Sequence, residues 1–134
     1  MIHAARIVSQ PVAAPAEAVY EYTRQMENLT RWAAGLATSL FRVDGEWFSD
    51  SPMGRIKIAM APRNPYGVLD HDVTTPDGNT VHNAFRVTPV GDGSLLAFVV
   101  LRLPGMTDDE FDRDAGLVAK DLRTLKTLLE ASSS

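Results

Sequence analysis

The sequence contains no cysteine, which excludes a disulfide framework and thiolate chemistry and suits a reducing compartment. It has no basic cluster either. Thirteen Lys plus Arg stand against seventeen Asp plus Glu, for a net charge of −4. Nucleic acid is therefore not an expected partner, because phosphate binding needs concentrated positive charge. Long apolar runs are missing as well. The longest, Leu95 to Leu101, is far too short to span a bilayer. The opening Met1-Ile2-His3-Ala4-Ala5-Arg6 lacks the apolar region of a signal peptide. These absences lead to the expectation of a cytoplasmic chain with no membrane insertion.

What is present is the composition of an ordinary globular domain. Of 134 residues, 45% are apolar and 22% charged, enough to bury a core in one unit. A single domain is expected over residues 1–131, with Ser132 to Ser134 as a disordered tail.

The strongest local signal lies near the end, over residues 107–130. Thr107 followed by Glu110 has the form of a capping box, and Asp108 and Asp109 place negative charge at the positive end of a helix dipole. Phe111, Ala115, Val118, Leu122, Leu125 and Leu129 recur at helical spacing, while Asp112, Arg113, Asp114, Lys120, Asp121, Arg123 and Lys126 fill the opposite, solvated face. A helix of this length, roughly 35 Å at 1.5 Å per residue, needs an apolar surface to lie on.

The preceding chain supplies one. Ile2, Ile7 and Val8 suggest a first strand over 2–9, ended by Pro11. Pro15 opens a short helix carrying Ala16, Val19 and Met26. Asn28 is a candidate cap for a second, with Leu29 and Trp32, stopped by Gly35. From residue 38 the period becomes that of strands. Asp44-Gly45 marks a hairpin turn, and Ile56, Ile58 and Met60 alternate inward. Further hairpins are expected at Asp77-Gly78 and at Asp92-Gly93. The order is strand, two short helices, about six more strands, one long helix. That is an α+β arrangement in which a curled antiparallel sheet grips the last helix.

Several segments also resemble a known family. Pro11-Val12-Ala13-Ala14-Pro15-Ala16-Glu17-Ala18-Val19-Tyr20, Asn28-Leu29-Thr30-Arg31-Trp32, His71-Asp72-Val73, Pro76-Asp77-Gly78, Val81-His82-Asn83, Arg86-Val87, Gly91-Asp92-Gly93-Ser94 and Pro104-Gly105-Met106-Thr107 are similar to small bacterial SRPBCC proteins. These form the polyketide cyclase/dehydrase and lipid-transport group of the START and Bet v 1-like superfamily. The resemblance implies a helix-grip fold of about seven strands with a cavity between sheet and helix. It does not fix an activity, since the superfamily hosts carriers and enzymes alike.

The expected turns set a register. With two-residue turns at Asp77-Gly78 and Asp92-Gly93, Val81, Phe85, Val87, Leu96, Phe98 and Val100 share one face. Asp72, Asn83 and Arg102 then stand in a cross-strand row on it. Taking that face as the inside, the row would orient a carboxylate, phenol or ketone in an apolar pocket; the competing reading is a structural ion pair. Trp32, Ile58, Met60, Phe111, Val118 and Leu122 join the expected lining, with Trp47, Met53 and Met106 as further candidates. His71 and His82 fall together on the outer face. They have no third ligand for zinc, so neither a metal nor a cofactor is expected.

Three functions remain open, the enzymatic one because the resemblance permits it and not because the spacing demands it. One is binding of a small hydrophobic molecule such as a lipid, polyketide or aromatic metabolite. Another is a cyclase or dehydratase in which Arg102 and Asn83 polarise a carbonyl and Asp72, His71 or His82 moves a proton. The last is a homodimer paired through Leu69, Val99 and Leu101.

Overall fold

The computed structural model describes residues 4–34, 36–51 and 54–132. Ile2, His3, Gly35, Met53, Ser133 and Ser134 lie outside these. The elements are β1 (Ala5–Val12), α1 (Ala16–Thr23), a 3₁₀ turn at Met26–Asn28, α2 (Leu29–Trp32), β2 (Phe41–Val43), β3 (Glu46–Ser51), β4 (Gly54–Met60), β5 (His71–Thr74), β6 (Thr80–Asn83), β7 (Phe85–Val90), β8 (Gly93–Leu101) and α3 (Asp108–Ser132). This is an α+β helix-grip fold.

The strands form two antiparallel groups, β1-β8-β7 and β2-β3-β4-β5-β6. They join where Val68 bridges Arg86. There the Leu69 N–H donates to the Phe85 carbonyl at 2.8 Å, and the Val87 N–H to the Gly67 carbonyl at 3.0 Å. Ala84 interrupts the ladder at this seam. Asp70 compensates, its carboxylate accepting the Phe85 N–H at 2.9 Å. The result is one strongly curled surface with its concave side towards α3.

The capping box forms as expected. The Thr107 N–H donates to Glu110 Oε1 and the Glu110 N–H to Thr107 Oγ1, both at 3.1 Å. Phe111, Ala115, Leu122, Leu125 and Leu129 are buried along one side of α3. At the far end Glu130 ties the helix to the chain after β1, accepting the Ala13 N–H at 2.8 Å.

Several boundaries differ from the sequence expectation. β1 runs through Pro11 to Val12; it is an edge strand, where a missing N–H leaves no ladder bond unmade. Asn28 makes no side-chain cap. Its own backbone is helical, and its amide donates to the Tyr22 carbonyl at 2.9 Å instead. Ser132, expected in the tail, belongs to α3.

Two turns also differ, with larger consequences. The β5–β6 hairpin closes over three residues, not two. The Gly78 N–H donates to the Thr75 carbonyl and the Thr75 N–H to the Asn79 carbonyl, both at 2.9 Å. Gly78 takes φ +89°, the left-handed position of a three-residue hairpin loop. Every β5 residue is thereby shifted by one against β6, so β5 turns its other face inward. The β7–β8 turn is Gly91-Asp92, between Val90 and Gly93. That shift is two residues, which changes neighbours but keeps faces: Phe85 lies opposite Phe98 and Val87 opposite Leu96.

Candidate functional site

Short side chains face one another across the gap between the curled sheet and the first half of α3. Ala33 follows α2, Val81 comes from β6, Val100 from β8 and Val118 from α3, and together they leave the gap unfilled. The space is a cavity of about 190 Å³. Its floor is buried: Trp32, Ala33, His71, Phe98, Val100 and Leu122 are each less than a tenth exposed. Its rim is the solvent side of α3, where Asp114, Leu117 and Asp121 lie one helical turn apart. Val118 belongs to the apolar stripe of α3 yet is only half-buried, because it fronts the cavity. Lower on the same helix, Leu125 and Leu129 pack into solid core.

Polar groups are few, and their arrangement is specific. The register places His71 directly opposite Asn83, and both line the cavity. Side chains directly opposite on one face of a sheet sit about 5 Å apart at Cβ. His71 packs edge-on to Phe98, centroids 5.7 Å apart, and to Phe85 at 6.3 Å. Burial lowers the His71 pKa below its ordinary value, outweighing the Leu69 carbonyl and nearby carboxylates, so the ring is neutral at pH 7. Its Nδ1 lies 3.1 Å from the Leu69 carbonyl. A carbonyl only accepts, so the proton is on Nδ1 and Nε2 carries a free lone pair. The Asn83 amide has no hydrogen-bond partner among the described residues.

Across the cavity, burial pushes the Asp114 carboxyl above its ordinary pKa, with Glu110 adding to the effect. Trp32 contributes ring carbon. Its Nε1 is buried without a hydrogen-bond partner among the described residues, and the ring leans on Phe85, centroids 5.9 Å apart.

The structure assembles part of the expected lining: Trp32, Asn83, Phe98, Val100, Val118 and Leu122. Phe85 is fully buried beneath it and Val87 packs in the core. Phe111 points elsewhere, its ring under the Arg6 guanidinium at 4.5 Å. Ile58, Met60 and Trp47 border a separate depression with Met26, and Arg42 stacks on Trp47 at 4.9 Å. Met106 supplies a carbonyl to Arg102 Nε at 3.2 Å.

The row Asp72–Asn83–Arg102 does not form. Asp72 faces outward, opposite His82. Arg102 lies just past the end of β8 and pairs with Asp108 at the start of α3. His71 and His82 likewise occupy opposite faces, and Leu69, expected outside, is fully buried. All these corrections but that of Arg102 follow from the single extra residue in the β5–β6 loop. Sequence reasoning missed His71, Asp114 and Leu117 as cavity residues. Helical spacing alone could have found the last two, since Asp114, Leu117, Val118 and Asp121 share one side of α3.

Outside, His82 bridges two carboxylates, Nδ1 to Asp72 Oδ1 at 2.7 Å and Nε2 to Asp70 Oδ2 at 3.2 Å. Asp72 hydrogen bonding is the main cause of its raised pKa, and Asp70 adds to it. Arg86 also reaches Asp70, at 3.6 Å. Among the described residues there is no group of three or more His, Cys, Asp or Glu able to hold a metal ion. No described helix is long and apolar enough to cross a membrane.

No family model matches the chain, and no curated protein does. Solved structures do. An uncharacterized protein from Bacillus thuringiensis superposes with a TM-score of 0.74 at 15% identity, covering 94% of this chain and 98% of that one. The Aha1 dimer from Colwellia psychrerythraea gives 0.74 at 14% identity, covering 95% and 96%. Ara h 8.0201, a Bet v 1-like protein, gives 0.67 at 10% identity, covering 96% and 98%. At such identities the likeness is one of fold, the helix grip.

Proposed function

We propose that this chain binds a small hydrophobic molecule in the cavity between α3 and the sheet. The observation that carries the reading is an apolar, partly buried space of about 190 Å³ between α3 and the sheet. Native interiors rarely leave such voids, because each unfilled volume forfeits packing energy. The size limits the occupant. Drug-sized ligands use roughly 300–1,000 Å³, whereas an apolar cavity of about 150 Å³ accepts a benzene ring. A single substituted ring fits; a long acyl chain would need the helix to move. Val118→Phe tests this directly. The larger side chain should fill the space, keep the thermal midpoint near wild type and abolish binding of ring-sized molecules measured by calorimetry. Unchanged binding would refute the reading.

A second reading is enzymatic, and the free lone pair of neutral His71 in the cavity favours it. His71 would take the proton-moving role, which Asp72, on the outer face opposite His82, is not placed to share. Turnover of a carbonyl substrate lost in His71→Gln, with binding kept, would support it.

A further inference from the structure

The polar groups of the cavity form a matched pair and the charged ones share a sign, which together select a ligand class. His71 Nε2 only accepts, since its proton is held on Nδ1 by the Leu69 carbonyl. Asn83, directly opposite on β6, has amide N–H groups free to donate. A hydroxyl is the small group that satisfies both at once, donating to one neighbour and accepting from the other. A carbonyl ligand would leave Nε2 unpaired, and a purely apolar one would cover both groups without pairing either, which is unfavourable.

The rim carries the second selection. Asp114 and Asp121 line the opening on α3, and among the described residues no lysine or arginine lines it. Arg102, between the lining residues Leu101 and Leu103, is engaged with Asp108 and the Met106 carbonyl. An anion entering this space would be desolvated beside the Asp114 carboxyl, with no cationic side chain among the described lining residues.

Building on the cavity reading above, we propose that the site is selective for a neutral, ring-sized molecule bearing a hydroxyl group. That group sits between His71 and Asn83, and the carboxylate at the rim rejects acidic analogues. Fatty acids and aromatic carboxylates are thereby excluded, although their apolar parts would be welcome.

Three probes of one shape separate these ideas: p-cresol, toluene and 4-methylbenzoate, titrated at pH 7 into the intact chain. Ligands of this size need concentrations up to roughly 10 mM. The expected order is p-cresol, then toluene, then 4-methylbenzoate, with p-cresol ahead of toluene by about tenfold, the yield of two neutral hydrogen bonds. Asn83→Leu should shrink that gap to a few-fold without reducing toluene binding. His71→Phe should do the same, but it also orphans the Leu69 carbonyl, so Asn83→Leu is the variant that decides if folding fails. Asp114→Asn should strengthen 4-methylbenzoate binding and leave p-cresol nearly unchanged. Equal binding of p-cresol and toluene, or an Asn83→Leu variant with the full gap, would overturn the hydroxyl assignment while leaving the cavity reading intact. Binding of 4-methylbenzoate as strong as that of p-cresol would overturn the exclusion of anions. Binding of none of the three would overturn the cavity reading itself, and this inference with it.

Discussion

Asp70 holds the Phe85 N–H at the seam between the two strand groups, and its removal gives the most quantitative test of the fold. The carboxylate is only 14% exposed. It replaces the ladder bond missing at Ala84 by accepting the Phe85 N–H at 2.9 Å, and it receives His82 Nε2 at 3.2 Å. A hydrogen bond to a charged group contributes about 1.5–3 kcal/mol, and an orphaned buried donor costs about 1–3 kcal/mol. These overlap, so Asp70→Ala should destabilise by about 2–4 kcal/mol. For a chain of this length that is roughly 8–16 °C in the thermal midpoint. Asp70→Asn keeps an acceptor for Phe85 and should lose only about 1 kcal/mol. Calorimetric melts at pH 7 make the comparison. The pH dependence has a definite sign. Burial alone would raise the Asp70 pKa, but the Phe85 N–H, His82 and Arg86 together hold it below 3.8. A carboxylate depressed in the folded state stabilises above its unfolded pKa and loses that contribution as pH falls through the folded value. The gap between wild type and Asp70→Ala should therefore narrow at the most acidic pH tolerated. If Asp70→Ala melted within 2 °C of Asp70→Asn, which is about half a kcal/mol, the seam would not be held by this carboxylate.

Three other perturbations have defined outcomes. Gly67→Ala should cost more than about 2 kcal/mol. The residue has φ +70° and its added Cβ would lie 2.3 Å from the Val87 carbonyl, a backbone atom that cannot step aside; chemical denaturation measures it. His82→Gln should matter more in acid than in base. A histidine raised by Asp72 and Asp70 stabilises fully below its unfolded pKa of 6.5 and loses that as pH rises through the folded value. The side chain is 62% exposed, so the effect should stay below about 1 kcal/mol and is read as a gap between wild-type and mutant melts that closes from pH 6 to 9. Thr107→Ala should destabilise by about 1 kcal/mol through loss of the capping box, seen as lower protection of the first α3 amides in hydrogen exchange.

Much of the fold was legible because its signals are local. Thr107, Glu110 and the spacing of Phe111 to Leu129 depend on no distant residue. Asp44-Gly45 is equally self-contained, with both residues at positive φ as a two-residue hairpin requires. The β6–β8 faces were legible too, because a two-residue error in the β7–β8 turn preserves the side each residue points to. The β5 face was not. Asp-Gly serves both two- and three-residue loops, and a difference of one residue inverts a strand. Pro76 was the available signal: its fixed φ suits the first central position of a type I turn, which makes Gly78 the left-handed third residue. The cavity was legible only in outline. Asn83, Phe98 and Val100 followed from the strand pattern. His71 required the register, and no spacing rule reveals that Ala33, Val81, Val100 and Val118 meet across a gap.

The most direct test is to locate a bound ring in solution. With p-cresol added, nuclear Overhauser contacts from its methyl and ring protons should reach the methyls of Val100, Val118 and Leu122 and the ring of Phe98. Leu125 and Leu129, in the packed half of α3, should show none. Contacts confined to Ile7 and Val99 on the outer face of β1 and β8, or no contacts at saturating ligand, would contradict a binding cavity beneath α3.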